Sequence, residues 1–303
     1  MKLSKAVELY WLDKKLGLTK TTIATYAYTF RYLVEQTNDK DIETITGHDI
    51  KTFVAYLVET RQISKRSVHD ALARLSSLFG WASIELKIPN VIKATNIEIK
   101  FIPAVTEAFT QSEIRAILTA TEYKRTWSTK NVRSKRATAT LDKAIILVLL
   151  DCGIRAQELC SLTVGDYENG TGRLFIKSGK GEKPRTVILG NRTQKALYKY
   201  LSTRDKPKVI DPLFATNTNN FLQRDNLRHK LEKIGKAAEV ANVHPHRFRH
   251  TFAINFLRNG GNILVLQQLL GHSTLEMVKH YAKIAEIDID KASEFSVADN
   301  WRL

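Results

Sequence analysis

Apolar side chains recur every three or four positions through the first ninety residues. Val7, Leu9, Tyr10 and Leu12 mark one helix over 4–16, and Ile23, Tyr26, Phe30, Leu33 and Val34 mark a second over 21–35. Thr46 is placed to cap a third helix whose apolar face is Ile50, Phe53, Val54 and Leu57. A fourth opens near Ser64, with Val68, Leu72, Leu75 and Phe79 on one face. The period then fails. Pro89 and the stretch Lys100-Phe101-Ile102-Pro103-Ala104-Val105 read as extended chain. The pattern predicts a helical domain over 1–98 and a linker over 99–108.

Thr110-Gln111-Ser112-Glu113 has the capping-box spacing and opens a helix through Ile114, Ile117 and Leu118. An apolar helix follows over 141–151, Gly153 interrupts it, and a helix resumes over 155–162. Two β-rich runs, 173–177 and 185–189, flank a glycine-bearing turn at 178–184 and predict a hairpin. Helical patterns return at about 193–202, 223–238, 246–259, 263–270 and 274–282. The expected fold is mainly α with a small β-hairpin or sheet: a helical domain followed by a mixed α/β domain over 109–303.

Composition changes this picture in one respect. The 303 residues are 43% hydrophobic and 26% charged, ordinary values for a globular chain. No apolar run approaches the roughly 18 residues of a membrane-spanning helix, and the first residues lack the apolar core of a signal peptide. Cys152 and Cys160 cannot build a disulfide framework, so a reducing, cytoplasmic compartment is expected. The net charge is +16, from 47 Lys and Arg against 31 Asp and Glu. Residues 1–106 contribute +4 and residues 107–303 contribute +12. Such an excess points to nucleic acid, because phosphates reward cations through counterion release. The densest run, 124–136, carries Lys124, Arg125, Lys130, Arg133, Lys135 and Arg136 without one acid. It reads equally as a solvated loop or as an arm touching phosphate.

The candidate chemistry lies on separate elements. Arg155 follows Gly153, Lys180 sits between two glycines of the hairpin turn, and His246, Arg249 and His250 share a helix start. His272 follows Gly271, with Tyr281 nine residues on. Several readings fail. Gly181 stands where a phosphate loop needs Ser or Thr, and Arg247 stands where a zinc helix needs its Glu. There is no Gly-x-Ser-x-Gly elbow and no carboxylate cluster for two metals. What remains suits an anionic centre: guanidinium groups for phosphate oxygens, an ammonium able to protonate a leaving alkoxide, and a tyrosine as possible nucleophile.

At these residues the sequence resembles the tyrosine recombinase (phage integrase) family, and in length its Xer-like two-domain members. Leu150-Asp-Cys-Gly-Ile-Arg155-Ala-Gln-Glu158-Leu is similar to the first arginine box, with Cys152 where Thr is usual. Gly179-Lys180-Gly181 followed by Arg185 resembles the lysine hairpin. His246-Arg-Phe-Arg249-His250-Thr resembles the His-x-x-Arg-His box, and Leu270-Gly-His272 through Tyr281 the final histidine and nucleophile. The resemblance implies a helical core-binding, SAM-like domain and a catalytic domain forming a clamp on duplex DNA. It implies catalysis by Arg155, Lys180, His246, Arg249, His272 and Tyr281, with Glu158 and His250 supporting them and no metal or nucleotide cofactor. Tyr281 would form a 3′-phosphotyrosine, the two arginines would hold the non-bridging oxygens, and Lys180 would protonate the 5′-oxygen; Lys177 and Lys183 compete for that last role. The implied partners are double-stranded core sites, a homotetramer in the synapse (monomer or dimer when free) and possible DNA-bending or partner recombinase proteins, on the nucleoid and away from membranes. The alternatives are topoisomerase IB-like relaxation and a non-catalytic DNA-binding protein on the same fold. Two departures stand out: the basic segment lengthens the chain before the first box, and no arm-binding domain precedes the helical one. The tail after Tyr281, with Ile287, Ile289, Ala292 and Phe295, is expected to pack in cis or on a neighbouring protomer.

Overall fold

The computed structural model describes residues 1–95, 97, 99, 107–124, 134, 135, 137–177, 184–272 and 274–285. The chain divides into two compact units, Met1–Val105 and Thr106–Leu303.

The first unit is helical: α1 (Leu3–Lys14), α2 (Lys20–Gln36), α3 (Gly47–Ala55), α4 (Lys65–Glu85) and the short α5 (Val91–Thr95). Side-chain oxygens set three of the helix starts. Thr19 accepts from Thr22 N, Ser64 accepts from Ser67 N, and Thr46 and Asp49 cap α3 reciprocally. The expected apolar faces meet in one core, where Phe30, Leu33, Ile50, Phe53, Val68, Leu75 and Phe79 are all buried. Tyr10 stands edge-on to Trp11, Phe30 and Trp81, and Trp81 donates to Asp13 at 2.6 Å. The sequence pattern missed α5. It follows Pro89 immediately, and Asn90 Oδ1 caps it by accepting from Ile92 N and Lys93 N.

The second unit opens with α6 (Gln111–Glu122), capped by the Thr110–Glu113 box read in the sequence. A two-residue hairpin, β1 (Tyr123–Lys124) with β2 (Ser134–Lys135), leads to α7 (Ala139–Cys152), and α8 (Ala156–Ser161) follows. α7 is apolar around most of its circumference because it packs on several elements at once, α6, α9 (Asn191–Leu201) and α11 (Pro245–Arg258) among them. The strands β3 (Tyr167–Glu168), β4 (Arg173–Ile176) and β5 (Arg185–Ile188) form an antiparallel sheet in that order. Leu174 pairs with Val187, and both face inward with Ile176. α10 (Arg224–Ala238), α12 (Ile263–Leu270) and α13 (Glu276–Ala285) complete the unit. The fold is mainly helical with a small antiparallel sheet. Among the described residues, no helix is long and apolar enough to cross a membrane.

One ion pair is sunk into this core. Asp142 of α7 accepts from Lys230 Nζ of α10 at 2.7 Å and from Thr138 Oγ1 at 2.7 Å. The Asp142 side chain has no solvent exposure, and that of Lys230 is 20% exposed. Removing one partner strands a buried charge, so Asp142→Ala is expected to cost about 3–5 kcal/mol in urea unfolding. Asp142→Leu combined with Lys230→Met should recover most of that loss. An equally large loss in the double variant would show that the pair itself, and not the unpaired charge, carries the stability.

Candidate functional site

Two left-handed glycines build the site. α7 ends at Gly153, whose φ of 57° a side chain resists; a Cβ there would lie 2.5 Å from the Phe252 ring. The turn places Arg155 at the N-cap of α8. Gly271, with φ of 64°, ends α12, and a Cβ on it would lie 2.8 Å from Arg185 Nη1. Both turns leave backbone carbonyls for guanidinium groups to use.

Glu158 ties two arginines together. Its Oε2 accepts the Arg155 backbone N–H at 2.7 Å, and Oε1 accepts Arg155 Nη1 at 3.2 Å. The same carboxylate takes a two-pronged grip from Arg185, Nη1 and Nη2 each at 2.8 Å, while Arg185 Nε donates to Leu269 O at 2.6 Å. Burial would push the Glu158 carboxyl up, but Arg185 and Arg155 hold it below the usual carboxylate range. Arg155 Nη2 also reaches Gly271 O at 3.4 Å. Arg185 therefore joins the first arginine box to the last turn before α13. The sequence gives one faint sign of this, an arginine at a strand start beside the lysine hairpin.

Arg249 lies deeper, 4% exposed. Its Nη1 donates to Gly153 O at 2.8 Å, and its Nη2 to Leu270 O at 2.8 Å and to His272 Nε2 at 2.6 Å. Burial, with Arg155 behind it, lowers this guanidinium to about 10, so it stays charged at neutral pH. Because arginine only donates, His272 Nε2 must accept, and the ring proton sits on Nδ1. That Nδ1 is buried without a partner among the described residues.

His246, Arg249 and His250 share a face of α11 through their i, i+3, i+4 spacing. His246, exposed at the helix start, borders a groove of about 770 Å³ with Arg155, Arg224, Arg228 and His244. His244 caps the helix, its Nδ1 accepting from Arg247 N. Tyr281 of α13 packs on α11 of its own chain, buried, with its ring 5.2 Å from His250 and 6.4 Å from His272. Burial raises its phenol; the charge and hydrogen bond of Arg249 and the charge of Arg155 pull the other way without overcoming it. The free site thus stores a phenol, not a phenolate.

The structure brings together Arg155, His246, Arg249, His272 and Tyr281, with Glu158 and His250 beside them. Lys180 and Lys183 lie outside the described residues. Lys177 is engaged elsewhere, 3.1 Å from buried Asp166, which counts against it as the proton donor. Of the basic segment, Lys124 and Lys135 sit on β1 and β2, whereas Arg125, Lys130, Arg133 and Arg136 lie outside the described residues. Cys152 fills the position usual for threonine: its buried Sγ donates to Val148 O at 2.9 Å, as a hydroxyl would, and burial lifts the thiol to about 12. Among the described residues, no group of three or more His, Cys, Asp or Glu could hold a metal ion.

The site's histidines make stability depend on pH. Burial is the first cause in each, with neighbouring cations next for His272 and His246 and neighbouring histidines first for His250. His250 and His272 fall to about 4, and His244 and His246 also lie below 6.5. The unfolded chain binds these protons first, so stability is complete above pH 6.5 and declines as pH falls toward 4. Urea midpoints should drop between pH 6.5 and 5, a range in which carboxylates contribute little, and His250→Gln should make the slope shallower. An unchanged slope in that variant would assign the titration to other groups.

Comparison with known proteins fits this geometry. The Phage integrase family model matches residues 107–286, and the Phage integrase, N-terminal SAM-like domain model matches residues 14–85. The tyrosine recombinase XerA of Thermococcus kodakarensis is 28% identical over 284 residues, covering 92% of this chain and 90% of that protein. The Tn1549 transposon integrase in complex with transposon right end DNA superposes with a TM-score of 0.75 at 16% identity, covering 93% of this chain and 94% of that one. A lambda integrase dimer bound to a COC′ core site gives 0.72 at 19% identity, covering 91% and 97%. At those identities the two structures establish the shared fold. The chain belongs to the phage integrase family, the tyrosine recombinases.

Proposed function

We propose that this protein is a site-specific recombinase that cuts and rejoins duplex DNA through a covalent 3′-phosphotyrosyl intermediate on Tyr281. The observation that carries the reading is the burial of the Tyr281 phenol against Arg249, itself fixed by carbonyls from both glycine turns. Arg155 and Arg249 clamp the non-bridging oxygens of the scissile phosphate, and His272 and His246 add hydrogen bonds. The Tyr281 oxygen attacks phosphorus, the bond to the 5′-oxygen breaks, and that oxygen leaves with a proton from Lys180. Among the imidazoles held neutral by burial, His246 and His250 are the bases at hand for the phenol proton, since both ring nitrogens of His272 are committed. The phosphotyrosine keeps the bond energy, so a free 5′-hydroxyl reverses the step without a cofactor.

Residues 1–98 supply the core-binding domain and 109–303 the catalytic domain, with 99–108 as linker. Lys124, Arg125, Lys130, Arg133, Lys135 and Arg136 contact DNA backbone. The working assembly is a homotetramer on two core sites, formed from monomers or dimers, in the nucleoid and with accessory DNA-bending or partner recombinase proteins where the site requires them. The tail beyond α13, with Ile287, Ile289, Ala292 and Phe295, lies outside the described residues.

Two measurements test the chemistry. On a nicked suicide substrate carrying the target site, recovered by sequencing DNA trapped on the wild-type protein, Tyr281→Phe should form no covalent adduct while retaining DNA affinity within about threefold. A persistent adduct would place the nucleophile elsewhere. Lys180→Ala should slow cleavage at least a hundredfold, within the roughly 10²–10⁴ range of general acid catalysis. A 5′-thiolate leaving group, which needs no proton, should restore most of the rate. Absence of rescue would move the acid role to another residue.

A further inference from the structure

α11 works on two sides. His246, Arg249 and His250 face the site; Arg247, Phe248 and Thr251 face the other way, and all three are buried. Arg247 is 8% exposed and lies in the middle of the catalytic box, between His246 and Arg249. Its guanidinium meets three acceptors on two segments, residues 107–113 and the turn before α11. Nε donates to Glu107 O at 3.1 Å, Nη1 to Ala241 O at 2.7 Å, and Nη2 to Glu113 Oε1 at 2.9 Å. The guanidinium carbon also stands 4.0 Å from the centroid of the Phe109 ring, which packs on Phe248.

Thr251, one turn on, completes the attachment. Its Oγ1 accepts from Phe109 N at 2.8 Å and donates to Arg247 O at 2.8 Å. Glu113 in turn accepts Thr110 N through Oε2 at 2.7 Å. The first residues of the second unit, 107–113, are thus bound to the catalytic helix by two backbone contacts, an ion pair and an aromatic face. Burial would raise the Glu113 carboxyl, but Thr110 and Arg247 hold it low, so the pair stays ionised at neutral pH.

We propose that Arg247 is a positioning residue: by latching residues 107–113 to the back of α11, it fixes where His246 and Arg249 stand in the site. Three acceptors on two segments suit a planar fork with several N–H groups, and lysine, with a single ammonium, cannot reproduce them. A shift of residues 107–110 must either break these bonds or move α11. Because Arg249 is bonded to both glycine turns, a small rotation of α11 would pull its Nη atoms off Gly153 O and Leu270 O. The chain leading into the second unit thereby bears directly on the phosphate clamp. This inference rests on the proposed recombinase chemistry.

The test uses the full-length protein and two variants, Arg247→Lys and the milder Glu113→Gln. Covalent adduct formation is followed on suicide substrates with a normal scissile phosphate and with a methylphosphonate there. The methyl group removes the non-bridging charge that Arg249 is held in place to meet. Both variants are expected to bind the core site within threefold of wild type and to form adduct at least tenfold more slowly on phosphate. On methylphosphonate, the deficit relative to wild type should shrink to threefold or less. Equal deficits on the two substrates would reduce the latch to general structural support, and wild-type rates in Glu113→Gln would overturn it even if Arg247→Lys fails to fold. If the wild-type protein itself forms no adduct, the recombinase reading fails and not the latch.

Discussion

A buried guanidinium that has no carboxylate in contact among the described residues is the constraint around which the second unit is arranged. Arg249 lies in the interior bonded to Gly153 O, Leu270 O, the His272 ring and the Tyr281 phenol. Neutral acceptors satisfy its N–H groups but leave its charge uncompensated, which is costly in a protein interior. The fold meets that cost by bringing in carbonyls from two left-handed glycine turns, each of which excludes a side chain by close contact. The nearby carboxylate, Glu158, is shared between Arg155 and Arg185. Two guanidinium groups therefore hold that carboxylate, while Arg249 rests on carbonyls, an imidazole and a phenol alone among the described residues.

The same balance accounts for the tyrosine. Beside two arginines a phenol would ordinarily be lowered, yet burial dominates and Tyr281 is raised. A phenol adds no anion beside the two arginines, and in the free site it stays protonated. The neutral histidines belong to the same economy. Protonating His250 or His272 would add a charge to a site already in cationic excess, and both are pushed down to about 4.

Much of this was legible in the sequence, for identifiable reasons. Helix starts were readable at Thr46 and Thr110 because capping is local, a matter of a side chain and an N–H three residues away. The grouping of His246, Arg249 and His250 followed from helical spacing alone. Arg185 and Arg247 were not legible as anchors. All but one of their partners lie 27 to 140 residues away in the chain, and several, the nearby Ala241 O included, are backbone carbonyls, which leave no mark on side-chain pattern. A buried arginine and a solvated one look identical in a sequence. The β1–β2 hairpin and α5 were missed because two-residue strands and a five-residue helix are too short to show a period.

The net charge of +12 over residues 107–303 consequently has three parts, only one of which faces DNA from a distance. Arg185, Arg247 and Lys230 are spent inside the fold, where Glu158, Glu113 and Asp142 neutralise them and where they hold β5, the first residues of the unit and α10 in place. Arg155 and Arg249 are held by carbonyls, Arg155 by Glu158 as well, and they are the cations that the proposed function assigns to the scissile phosphate. The exposed cations, among them Arg224 along the groove that His246 borders, are the ones backbone phosphates can reach, with an affinity that falls as salt rises. Counting the whole excess as DNA contacts would overstate the salt dependence, because counterion release follows only the cations that phosphates can reach. The internal pairs set the geometry in which Arg155 and Arg249 stand.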